Sequence, residues 1–124
     1  MNFKLTTLFA MMTLSLSAAV HAECTYPQVT AAAPSGATAT EPELVAAIQD
    51  MKRFNTEITA YATCVDQEAD AQIAAGGSVL SADQIKKIKA ESAQKHNAGV
   101  DDLQKRADAL NAQVKIYKAR PATK

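Results

Sequence analysis

The chain has 124 residues, with 13 basic and 13 acidic side chains, two cysteines, no tryptophan and six tyrosines and phenylalanines together. One small domain is the most that fits, which excludes a full α/β enzyme fold. A formal net charge of zero argues against a general binder of nucleic acid or acidic polymers, and 26 alanines beside so few aromatics favour helix over a β-sandwich.

Residues 1–22 read as a secretory signal peptide. Lys4 supplies a minimal positive start, residues 5–20 carry no charge, and Val20-His21-Ala22 puts small or tolerated residues at the cleavage position. The uncharged run is short for a membrane span and polar chain follows it directly, so no stable membrane anchor remains once the signal is removed. Cleavage is expected between Ala22 and Glu23. Cys24 is not a lipid acceptor, because the charged Glu23 stands where a small residue is needed. The processed chain, 23–124, keeps 12 basic and 13 acidic residues, a net charge of −1. The compartment is then the periplasm or the exterior. It is oxidising, so Cys24 and Cys64 are expected to pair as a structural staple. There is no C-x-x-C spacing of a redox motif. Closing a loop of this length stabilises the fold by about 4 kcal/mol on loop-entropy grounds.

Residues 23–40 contain Pro27, Pro34, Gly36 and four threonines without a helical period. They read as an extended strap with a turn at Pro34-Ser35-Gly36. A first helix is expected over about 41–74. Thr40 and Glu43 form a capping box at its start, and Pro42 falls in the first turn, where its missing N–H costs nothing. The apolar stripe is Leu44, Ile48, Met51, Ile58, Ala62, Val65 and Ala69, interrupted by Asn55. Ala47, Phe54 and Tyr61 flank it seven apart. Gly76-Gly77 end the pattern.

A second helix is expected over about 82–118. Ser81 and Gln84 make a capping box, with Leu80 set to staple against Ile85. Its stripe runs through Ile85, Ile88, Ser92, His96, Gly99, Val100, Leu103, Ala107, Leu110, Val114 and Tyr117. Gly99 stays in phase with the stripe, although a mid-helix glycine costs about 1 kcal/mol against alanine. Lys115, Lys118 and Arg120 suit the C-terminus, and Pro121 stops the helix before a tail over 119–124.

Two long helices joined by a short loop should form an antiparallel hairpin, pairing residues whose numbers sum to roughly 156–158. Ile58 then faces Gly99, and Leu44 faces Val114. Cys64 lies about 35 Å along the first helix. The chain from Cys24 to Thr40 can span about 50 Å as polyproline. The strap can therefore run back along the hairpin, with Tyr26 and Tyr61 near the disulfide. The expected fold is all-α: a long antiparallel helical hairpin with an extended N-terminal strap stapled by one disulfide.

The ordered set Pro34-x-Gly36, Ala39-Thr40, Phe54-x6-Tyr61-x2-Cys64, His96-Asn97-x2-Val100 and Asn111-x2-Val114-x2-Tyr117-Lys118 covers most of residues 24–118. In these features the chain resembles an uncharacterised group of short, Ala-rich, exported helical proteins of Gram-negative bacteria. The resemblance implies an exported helical protein with a disulfide. It brings no activity, cofactor or catalytic residue.

Candidate chemistry is sparse. His96 is the one histidine left after processing, and Ser92, Ala93, Gly99 and Val100, its neighbours at helical spacing, are poor metal partners. It reads as a boundary core residue. Asp66-x-Glu68-x-Asp70 opens like a calcium loop, but Ala71 and Gly77 stand where glycine and a bidentate glutamate belong. Ser81 has no base placed beside it. The cluster Lys86-Lys87-x-Lys89 is flanked by Asp83 and Glu91 at helical spacing and reads as a salt-bridged surface.

No catalytic, cofactor or metal site is expected, and the chain is not expected to be an enzyme. The leading expectation is a non-enzymatic envelope protein acting through macromolecular contacts, as a homodimer or with an envelope protein partner. Phe54 and Tyr61 are the candidate interaction face, because the flanking row widens the apolar surface beyond one seam. The alternative is a small ligand- or metal-binding periplasmic module, with its site near Tyr26, Tyr61 and the disulfide, or at His96.

Overall fold

The computed structural model describes residues 23–28 and 31–121. The expected signal peptide over 1–22, including its cleavage point after Ala22, lies outside the described residues, as do 122–124 of the tail. Two helices make up the fold, α1 (Glu41–Gly76) and α2 (Ala82–Lys118), joined through a single 3-10 turn at Gly77–Val79. They pack against each other as a hairpin, and there is no strand among the described residues.

Local chemistry sets the ends. At the start of α1 the Glu43 carboxylate accepts from the Thr40 amide at 2.7 Å and from the Thr40 hydroxyl at 2.9 Å. Those two bonds hold Glu43 below the usual carboxylate range. The negative charges of Glu41 and Glu43 also suit a helix N-terminus. At the start of α2 the box is reciprocal: the Ser81 hydroxyl accepts from the Gln84 amide, and the Gln84 side chain accepts from the Ser81 amide. α1 runs two residues past its expected end. Gly76 is still helical, and Gly77, at φ 47°, makes the turn that other residues resist. Leu80 folds over Gly76, where a methyl group would meet its side chain. The second helix is continuous through Gly99.

The seam follows the expected register. The Ser92 hydroxyl donates to the Val65 carbonyl at 3.2 Å, and Gly99 sits over Ile58 and Tyr61. Leu44, Phe54, Ile58, Ala62, Val65, Ala69 and Leu110 are buried, Ile58 most completely. Burying each large side chain contributes about 1.5–3 kcal/mol. Gly99 does not mark a forced backbone approach, because a Cβ there would rest 3.6 Å from Ile58 and Tyr61, at ordinary contact distance.

The strap runs antiparallel to α1, in the groove between the helices. Cys24 is bonded to Cys64, with Cα atoms 5.8 Å apart. The Tyr26 ring meets Tyr61 edge-on at 5.0 Å, and its hydroxyl donates to Asp102 at 2.8 Å. At the far end the Gly36 amide donates to the Gln113 side chain at 2.8 Å, Arg120 donates to the Ala37 carbonyl at 3.2 Å, and Ala39 is buried. Gly36 lies so close to α2 that a Cβ would collide with the Gln113 carbonyl.

Two glycine variants separate these roles. Gly36→Ala should push the strap off α2 and cost about 1–3 kcal/mol in denaturant unfolding. Gly99→Ala should be neutral or stabilising by up to about 1 kcal/mol, since helix propensity improves and no atom must move. Cys24→Ala and Cys64→Ala should lower stability by similar amounts, each by no more than about 4 kcal/mol.

Candidate functional site

The strap divides the hairpin into two unlike flanks. On its own side it bridges a slot of about 490 Å³, lined by Ala31, Ala32, Ala33 and Pro34 from the strap, Ala46, Ala47, Met51 and Phe54 from α1, and Ala109 and Leu110 from α2. Charged side chains edge it. Arg53 pairs with Asp50 at 3.0 Å and with Glu57 at 3.7 Å. Arg106 binds Asp102 through Nε at 3.0 Å and lies over the Phe54 ring, 5.4 Å from its centre. Lys105 has no ion-pair partner among the described residues.

Phe54 corrects one expectation. It is only 3 % exposed and forms the floor of the slot beneath Arg106, so it is not an outward contact for a partner. Tyr61 is half-buried against Tyr26. The row seven apart that widens the stripe of α1 is the surface on which the strap lies. Its members are used internally.

Asp102 joins strap and hairpin electrostatically. Burial pushes its carboxyl up, but hydrogen bonds from Tyr26 and Arg106, with the charges of Arg106 and Lys105, outweigh burial and leave it below the usual range. Tyr26 is pushed up to about 12 by burial, by its bond to Asp102 and by that carboxylate's charge. These partners come from 76 positions apart in the chain.

The other flank carries a smaller cluster that helical spacing alone did not assemble. Asp66 accepts from the Ser92 hydroxyl at 2.9 Å and lies 2.9 Å from His96 Nδ1. The Ser92 and His96 bonds, in that order, hold Asp66 below its usual range. A serine, a histidine and an aspartate meet, yet the order is wrong for nucleophilic catalysis. The histidine bonds the aspartate and not the serine, whose hydroxyl faces Val65 and Asp66. The cluster ties α1 to α2. The register expected for the hairpin already brings Ser92 to Asp66, which is the signal that could have found it. Asp66, Glu68 and Asp70 lie within unbroken α1, so they form no loop. Among the described residues, no group of three or more His, Cys, Asp or Glu side chains is placed to hold a metal ion.

That second flank is not covered by the strap. Ile48 and Asn55 of α1 lie on it, with Val100, Ala107 and Val114 of α2, while Ala62 and Ala69, which continue the α1 row at a spacing of seven, are buried. Ile48 is 37 % exposed and Val100 46 %. Ile48 belongs to the stripe read as core, yet it is left partly open to water.

No protein-family model matches the chain, and neither a curated protein nor a solved structure is found that matches it.

The strap junction makes a titration prediction. Asp102, depressed in the fold, stabilises above its unfolded pKa, and that stabilisation is lost as pH falls through its folded value. Tyr26, raised in the fold, stabilises below its unfolded pKa near 10, and that is lost as pH rises toward about 12. Spectrophotometric titration should show one of the three tyrosines ionising near pH 12. In Tyr26→Phe that step should vanish, and the Asp102 carboxyl, followed by NMR, should move up.

Proposed function

We propose that this chain is an exported, non-enzymatic protein of the cell envelope, and that it works through contacts of the helical flank its strap leaves open. The observation that supports this reading is the uncovered pair of rows around Ile48 and Val100. A two-helix hairpin has two grooves beside one seam, and a single strap fills one of them. The other retains apolar side chains at the spacing that a further helix would engage. A second copy of the chain, forming a four-helix bundle, or another envelope protein would cover it.

Export is supported by the signal pattern of residues 1–22 and by the Cys24–Cys64 bond, which persists in oxidising compartments. No helix among the described residues is long and apolar enough to cross a membrane. The non-enzymatic reading is supported by the geometry at Ser92 and His96, where the imidazole bonds Asp66 and not the hydroxyl. A second reading, a small-ligand module of the periplasm, is favoured by the slot beneath the strap.

Mass spectrometry of the exported protein should find an unlipidated chain that begins at Glu23. Analytical ultracentrifugation, together with capture of envelope proteins, tests the contact surface. Val100→Asp and Ile48→Asp should weaken association while leaving the fold intact, since both sites are open to water. Phe54→Asp should unfold the protein, because it buries an unpaired charge. His96→Ala should leave association nearly unchanged. A wild-type protein that is monomeric at all concentrations and captures no partner would sink the contact reading.

A further inference from the structure

We infer that the flank the strap leaves open docks a second copy of this chain, turned end for end about a two-fold axis that crosses the hairpin at Thr59 and Val100. This rests on the contact reading above and names its partner. A two-fold interface has one strict requirement: where residue i meets residue j of the second copy, j must meet i. Turned end for end, each helix lies antiparallel to itself, so the row it presents must be complementary to its own reversal.

The α1 edge of the flank meets that requirement. Asp66 marks this edge, because it accepts from Ser92 and lies 2.9 Å from His96 across the flank. At spacings of seven, Val45, Lys52, Thr59 and Ile73 share its side of the helix. Counted outward from Thr59, Lys52 comes opposite Asp66 of the second copy, and Val45 comes opposite its Ile73. Val45 is 45 % exposed, and Lys52 and Thr59 are open to water. Lys52 has no ion pair among the described residues. Thr59 meets itself, and its hydroxyl needs no new partner, since it donates to the Asn55 carbonyl at 2.8 Å.

The α2 edge meets it too. Ala93 lines the flank beside Asp66 and His96, and Lys86, Val100, Ala107 and Val114 lie at spacings of seven from it. Exposed Val100 meets itself, while Ala93 and Ala107, one on each side of it, come opposite each other. Lys86 comes opposite Val114, where its methylene stem can lie on the apolar side chain with the ammonium in water.

One axis serves both helices. Gly99 sits over Ile58, so Thr59 and Val100 lie within about 3 Å of one height. They also stand at the middle of Glu41–Gly76 and Ala82–Lys118, so the two copies overlap along their whole length. From Val45 to Ile73, and from Lys86 to Val114, each row covers about 42 Å. A face of that length and two helices wide offers about 800 Å² per copy, the size of a stable interface.

A two-fold along the helices would instead set α1 beside α2 of the second copy. Lys52 would then lie level with Ala107, and Asp66 with Ala93, so neither charge is answered. Asp70 would lie level with Lys86 and Lys89, but these are level within one chain already, and Asp70 and Lys89 line the same depression there. End-for-end docking brings no two like charges level on this face.

Sedimentation of the processed, disulfide-bonded protein should show a monomer–dimer equilibrium. Lys52→Glu, at an exposed site, should weaken dimerisation about tenfold or more, because it sets a glutamate against Asp66 of the other copy, twice per dimer. Thr59→Cys and Val100→Cys, each alone, should give a covalent dimer under mild oxidation, mapped by mass spectrometry to the introduced thiols. Ala107→Cys should not, since its two copies lie about 21 Å apart along the axis. The inference is overturned by a protein that stays monomeric at all concentrations, by a dimer that Lys52→Glu leaves equally tight, or by failure of both Thr59→Cys and Val100→Cys to cross-link. A monomer that captures an envelope protein through Ile48 and Val100 would remove the second copy while leaving the contact reading standing.

Discussion

The bond between Cys24 and Cys64 is the constraint from which the rest of this small fold follows. Two helices of 36 and 37 residues share one seam, and a seam cannot bury a stripe as wide as the one on α1. Something has to lie on the Phe54, Tyr61 and Cys64 side. The staple fixes which segment does so and in which direction, because it places Cys24 about 35 Å from the start of the helix that the same segment must enter. The strap then has one path. It follows the groove between the helices and returns to Thr40. In the unfolded chain the same bond closes a long loop and removes conformational freedom, so it stabilises the fold before any contact of the strap is counted.

A strap held in one groove makes the hairpin asymmetric. Among the described residues, the polar bonds that fasten it sit toward its two ends, where Tyr26 reaches Asp102 and Gly36 reaches Gln113. Each joins residues more than seventy positions apart, so neither forms until the hairpin has closed. On the opposite flank the comparable tie among the described residues is Ser92 and His96 on Asp66, and it joins helix to helix. The division of labour is therefore by flank: one is fastened and roofed, the other is open and apolar around Ile48 and Val100.

Much of this was legible in the sequence, and the parts that were not share a cause. Helix ends, both capping boxes, the register and the disulfide rest on local patterns or on chain reach, and they were read correctly within two residues. Phe54 was misplaced because a helical period gives the angle of a residue around its axis but not what lies on that side. Its angle is that of an edge residue, and the strap's path turned that edge into a floor. Ile48 erred in the other direction. It belongs to the apolar stripe, yet a stripe wider than one seam leaves its edge residues partly open. The Asp102–Tyr26 and Asp66–His96 pairs were missed because the charged residues of each helix were weighed against neighbours on the same helix. Partners on the facing helix or the strap become visible only once register and strap path are combined.

The same combination explains why Arg106 occupies its place. Its Nε takes the Asp102 carboxylate, which also receives the Tyr26 hydroxyl, and its plane lies over Phe54. A chain of contacts thus runs from the disulfide, through Tyr26 and Asp102, to the floor of the slot. A guanidinium suits the junction because it can donate in its plane and stack on its face at once, which a lysine ammonium cannot do. Lys105, the neighbour of Arg106 on α2, lines the slot without an ion pair among the described residues, and its charge adds to the field that lowers Asp102. The two neighbouring cations therefore do different work: Arg106 locks the floor to the strap's anchored end, and Lys105 acts on Asp102 through its charge alone. The alanines complete the arrangement. A larger side chain at 31–33, 46, 47 or 109 would bury more surface and fill the gap, so the small residues there give up packing energy that the disulfide helps to offset.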